Sequence, residues 1–145
     1  MTDRFEELLH ELGKLFGLPL KPDKSHFCAL QIKQGLKVQF QTDTAFEKLL
    51  IASKIGELPA GKFREDVLKE ALKANGLTDP RAGVFAYIRA NNQLVFFQRY
   101  PFDILNGERL AGLLGPFIET AERWKSAIDA GQSAPLPVIS PQPRL

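Results

Sequence analysis

Cysteine is nearly absent from this chain. Cys28 stands alone among 145 residues, which excludes an internal disulfide and a cysteine-built metal cluster. Histidine is almost as scarce, with only His10 and His26, so a metal site would need several carboxylates that no spacing marks. Neither GxGxxG nor GxxxxGK[ST] occurs, and each glycine sits where a turn or cap needs it, so no phosphate cradle and no cofactor are expected. No stretch approaches the roughly 18 consecutive apolar residues of a membrane helix. The opening Met1-Thr2-Asp3-Arg4-Phe5-Glu6-Glu7 brings acidic residues at once and lacks a basic-then-apolar leader pattern, so a cytoplasmic protein is expected. Runs of like charge are missing too. Lys62, Arg64, Glu65, Asp66, Lys69 and Glu70 alternate in sign, and the net charge is only +2, which describes a solvated surface rather than a nucleic-acid face.

What is present is patterned hydrophobicity over a length that suits one core. Phe5, Leu8, Leu9, Leu12, Leu15 and Phe16 fall on one face of a helix over residues 4–16, with Asp3 as N-cap, Gly17 in the left-handed C′ position and Pro19 preventing continuation. The period then drops to two. Residues 26–32 read as a strand, Gln34-Gly35 as a tight turn, and residues 36–41 as a second strand. Thr42-Asp43-Thr44 is turn-like, and residues 46–55 read as a third strand. Gly56 and Pro59-Ala60-Gly61 punctuate the chain. Phe63, Val67, Leu68, Ala71 and Leu72 mark a second helix that Asn75-Gly76 closes. After Asp79-Pro80, residues 84–88 and 94–99 form two strands joined across Asn91-Asn92. A last helix over residues 106–130 holds Gly115-Pro116, which should bend it or split it. The order α-β-β-β-α-β-β-α predicts an α+β fold with three helices and a twisted, mainly antiparallel sheet. Residues 1–130 form the expected domain. Residues 131–145, with Pro135, Pro137, Pro141 and Pro143, read as a disordered or extended tail.

Catalytic chemistry finds little to work with. His10 lies on the polar side of the first helix. His26 and Cys28 share one face of a strand without an orienting third group, so packing explains them better than a nucleophilic pair. An alternative function is a small-ligand or nucleic-acid-binding α+β module, in which Tyr87, Phe96, Phe97 and Tyr100 beside Arg89 and Arg99 stack a ligand. Against it, Leu94-Val95-Phe96-Phe97 is apolar on both faces. Such a strand needs cover on both sides; a second copy of the chain is the simpler cover, and the bent last helix together with the second helix within one chain is the alternative. The broad apolar stripe of the first helix, beside Leu36-Val38-Phe40, would leave a groove where an extended peptide adds to a strand edge.

The order of these elements resembles the class I type III secretion chaperones, the CesT/SycE-like family. The resemblance covers about residues 3–127. Its carriers are Phe5-Glu6-Glu7-Leu8-Leu9 through Leu15-Phe16-Gly17-Leu18, then Leu36-Lys37-Val38-Gln39-Phe40, and then Ile55-Gly56-Glu57-Leu58-Pro59. Ala74-Asn75-Gly76-Leu77 and Phe117-Ile118-Glu119-Thr120-Ala121-Glu122-Arg123-Trp124 complete it. It implies a bacterial, cytoplasmic, non-enzymatic homodimer. The N-terminal segment of a secreted effector would be held on it in extended form, kept soluble and presented to the secretion ATPase. Phe5, Leu9, Leu12, Phe27, Leu36, Val38 and Phe40 would line the partner groove. Leu68, Leu72, Val84, Phe85, Ala86, Tyr87 and Ile88 would carry the dimer contact. On this expectation Leu36→Asp or Val38→Asp abolishes partner capture and spares the dimer. Many members are acidic, so the net charge of +2 leaves room for a heterodimer with a more acidic relative.

Overall fold

Helix α1 (Arg4–Phe16) is followed by strands β1 (Phe27–Lys33), β2 (Leu36–Thr42) and β3 (Lys48–Glu57). Helix α2 (Lys62–Asn75), strands β4 (Val84–Ile88) and β5 (Gln93–Pro101), a single 3₁₀ turn (Phe102–Ile104) and helix α3 (Gly107–Asp129) complete the order. This computed structural model describes residues 4–33, 35–43, 47–77 and 81–136. The five strands form one sheet in the order β1-β2-β3-β5-β4, and every neighbouring pair is antiparallel. The expected α+β architecture is what the chain adopts.

Strand alternation divides the sheet into two unlike faces. Cys28, Leu30, Leu36, Val38, Phe40, Leu49, Ile51, Ile55, Leu94, Phe96 and Phe85 are buried on the inner face. There the Phe117 ring stacks on Phe96 at 4.8 Å and Trp124 packs on Phe85 at 4.4 Å, so α3 lies across this face. Each buried large apolar side chain contributes about 1.5–3 kcal/mol. Ser53 is the one buried polar side chain among the described residues. Its hydroxyl donates to the Lys37 carbonyl at 2.7 Å, extending the tie between β2 and β3 beyond their last paired residues, Gln39 and Ala52.

Helix α1 packs against α3 at close quarters. A Cβ on Gly107 would stand 2.6 Å from Glu11 Cβ, and the Gly107 amide donates to the Glu11 carboxylate at 2.7 Å. At the other end Gly17 takes φ 70° and the Leu18 amide donates to the Gly13 carbonyl at 2.9 Å, the left-handed helix stop expected of this glycine.

Several local expectations are corrected. Pro116 does not split α3, which runs unbroken from Gly107 to Asp129 with Asn106 as N-cap. Strand β3 continues through Gly56 to Glu57, absorbing the glycine at a register shift opposite Leu94. His26 lies outside β1 with φ 58°, so it does not continue the alternation that would have placed it beside Cys28. Asp3, Gln34, Phe46, Asp79 and Pro80 lie outside the described residues. Of the proposed tail, residues 131–136 are described, and Ala134 is half-buried against the core.

Candidate partner-binding surfaces

Six of the seven expected groove residues are core. Phe5 is 2% exposed, and Leu9, Leu12, Leu36, Val38 and Phe40 are 0% exposed. The alternation Leu36-Val38-Phe40 reads correctly as one face of a strand, but that face lies beneath the helices. Its exposed counterparts are Lys37 and Gln41, with Gln39 half-buried. Phe27 is half-buried at the start of the outermost strand. Its amide donates to the Asp23 carboxylate at 3.1 Å, and its carbonyl accepts from the Asp23 amide at 2.8 Å. The apolar surface α1 offers outward is its last turn and exit, Leu15, Phe16 and Leu18. Periodicity placed Leu15 and Phe16 in the stripe without showing that the core ends at Leu12. Of the exit residues, Leu18 lines a groove of about 640 Å³ together with His10, Gly13, Lys14 and Leu20 among others.

The expected dimer residues separate by face. Val84 and Ala86 are half-buried on the outer face of the sheet, Ile88 is 40% exposed, and Leu72 on α2 is 70% exposed. Phe85 points inward and is buried. Tyr87 is half-buried; its hydroxyl accepts from Arg64 at 2.9 Å and donates to Asn92 at 2.6 Å. Leu68 is half-buried beside an apolar notch between α2 and β4. Register adds Val95 and Phe97, paired with Ala86 and Val84, and Ala52, opposite Phe97. All three are half-buried on the same outer face. The doubly apolar run Leu94-Val95-Phe96-Phe97 carried that signal, since Leu94 and Phe96 go to the core and Val95 and Phe97 remain for the other side.

The hairpin aromatics do not make a stacking platform. Phe96 is in the core, Tyr87 is committed to Arg64 and Asn92, and Phe97 on the opposite face lies under the Arg99 guanidinium at 5.1 Å. Burial pushes the Tyr100 hydroxyl above its usual range. Burial, with Asp23 nearby adding to it, also raises the Cys28 thiol despite an opposing backbone hydrogen bond at Lys21. A thiol held neutral is a packing group. Among the described residues no cluster of three His, Cys, Asp or Glu could hold a metal ion. No helix among them is long and apolar enough to cross a membrane.

The sheet thus carries α3 across one face and half-buried apolar residues, Ala52, Val84, Ala86, Val95 and Phe97, on the other. The sequence profile of the Tir chaperone protein (CesT) family matches residues 7–125, and the chain belongs to that family. No curated protein matches it. Among solved structures, the HopA1–SchA chaperone–effector complex contains a chain with a TM-score of 0.69 and 19% identity, covering 88% of this chain and 100% of that one. The Yersinia pestis type III secretion chaperone SycH, in complex with a fragment of YscM2, gives 0.61 and 18%, covering 81% and 97%. The ExoT–SpcS complex from Pseudomonas aeruginosa gives 0.65 and 15%, covering 84% and 97%.

Proposed function

We propose that this chain is a bacterial cytoplasmic chaperone that holds the N-terminal segment of a type III secretion effector in extended form, soluble and ready for export. The observation that carries this reading is the sheet itself, which keeps apolar side chains on a face its own helices leave half-covered. The partner's strand adds at β1, and its side chains reach Leu15, Phe16 and Leu18 at the exit of α1. Phe5, Leu9, Leu12, Leu36, Val38 and Phe40 shape that surface from beneath, while Phe27 borders it. Two copies associate through Val84, Ala86, Ile88, Val95 and Phe97 with Leu72. Phe85, Tyr87 and Leu68 support that contact from within. The domain spans residues 1–130. It acts without cofactor or catalytic step, as a homodimer or paired with a more acidic relative, and hands its cargo to the secretion ATPase.

The test is co-purification of the full chain from its native cytosol, followed by mass spectrometry and light scattering. A dimer carrying one secreted protein, with that protein's N-terminal region protected from proteolysis, is expected. A strict monomer, or nucleic acid or a metabolite in the bound fraction, overturns the reading.

A further inference from the structure

A sheet with two ends has two edges, and each edge strand presents main-chain groups to any extended peptide that meets it. Here the ends are β1 and β4. At β1 Asp23 takes the amide and carbonyl of the first residue, Phe27, and the strand runs on for six residues to Lys33. At β4, Asn75 is the last residue of α2. Its carboxamide donates to the Phe85 carbonyl at 2.9 Å and accepts from the Phe85 amide at 2.8 Å. β4 ends the sheet and both groups bond a side chain of α2, outside the sheet, so they point away from β5. They are the ones a neighbouring strand would use. A carboxamide carries the donor and acceptor of one peptide unit, and turning it over would set donor against donor. Asn75 thus occupies the place of one residue of an added strand.

Helix α2 is pinned in this position at both ends. Arg64 in its first turn reaches the Tyr87 hydroxyl and the Asn92 carboxamide, and the Arg81 guanidinium donates to the Asn75 carbonyl. β4 is five residues long. With its central residue but one taken, too little edge remains for a second strand to zip onto.

We infer that Asn75 closes the β4 edge to strand addition, so that an extended partner segment joins this sheet at β1 alone. Its consequence for the partner rests on the proposed strand capture. The closure of β4 does not.

The test compares amide hydrogen exchange in the full chain for wild type, N75A, N75D and R64A, with molecular mass by light scattering. A spin-labelled peptide of alternating Thr and Val serves as strand probe. In N75A the Phe85 amide is expected to exchange about tenfold faster, as befits one lost hydrogen bond. β5 amides should stay protected, species heavier than wild type should appear with concentration, and the probe should broaden β4 signals. In wild type the probe should broaden β1 only. N75D keeps an acceptor but sets a carboxylate against the Phe85 carbonyl, and should open the edge if N75A folds poorly. R64A loosens the other end of α2 and should leave Phe85 protected. An unchanged Phe85 amide in N75A, wild-type mass and no β4 broadening in both Asn75 variants, or equal exposure of Phe85 in R64A overturns the inference. So does β4 broadening in wild type. A probe that enters β4 in N75A but never β1 in wild type overturns strand capture at β1 and the β1 half of the inference, and upholds the closure of β4.

Discussion

Val38→Asp separates a core residue from a groove residue. Val38 is 0% exposed, between Leu36 and Phe40 on the inner face of β2. Removing its side chain from the core loses about 2 kcal/mol of apolar burial. Holding the introduced carboxyl neutral at pH 7, against an unfolded pKa of about 3.9, adds about 4 kcal/mol. Leaving its polar atoms without partners adds about 2 kcal/mol or more. The total, about 8 kcal/mol, is comparable with the about 5–15 kcal/mol that stabilises a domain. The variant should therefore lose its cooperative thermal transition at pH 7, and lose dimer and partner capture with it. The sign of the pH effect is a further check. The folded-state pKa of the new carboxyl is raised, so the ionisation penalty is absent below about pH 3.9 and grows as pH rises through that value. Relative to wild type at the same pH, the variant should be least destabilised near pH 4. Circular dichroism melts across pH, with Lys37→Asp on the exposed face as control, measure this. A Val38→Asp protein with a near-wild-type melt and dimer that fails only to hold its partner would refute the burial argument.

Phe97→Asp and Val84→Asp place charge on the outer face without entering the core, and should yield folded monomers by light scattering; a persistent dimer would move the interface elsewhere. Gly13→Ala should lower stability by about 1–3 kcal/mol in a denaturant melt, because its Cβ would stand 2.3 Å from the Leu18 carbonyl oxygen; an unchanged midpoint would show that the α1 exit yields freely. Asn106→Ala removes the side-chain acceptor for the Arg109 amide at 2.8 Å and should cost about 1 kcal/mol of stability. Cys28, raised above the ordinary thiol range, should react with iodoacetamide at pH 8 far more slowly than a free thiol and accelerate only at higher pH; reaction at the free-thiol rate would contradict its burial.

Much of the fold was legible because binary pattern and punctuation agree along the chain. The i, i+3, i+4 spacing of Phe5, Leu8, Leu9 and Leu12 and the alternation of Leu36, Val38 and Phe40 mark helix and strand correctly. Gly17 adopts the positive φ that its position suggested, and Asn92 takes φ 57° in the turn expected at Asn91-Asn92. What periodicity cannot carry is depth. It gives Leu12 and Leu15 the same rank, though one is 0% and the other 52% exposed. The strand order was equally silent, since β3–β5 pairing joins residues far apart with no local signal. Asn75 looked only like a helix stop, because its second role depends on a strand edge ten residues further along.

The strand order bears on how the protein is made. β5 is synthesised after both β3 and β4, yet it lies between them, with Lys48 opposite Pro101 and Glu57 opposite Gln93. The meander β1–β2–β3 therefore leaves the ribosome with its apolar third strand unpaired on one side. At about 5–20 residues per second, roughly 40 further residues must be added before the partner strand arrives, a wait of several seconds. A nascent chain of a protein that sequesters sticky segments is, for that interval, such a segment itself.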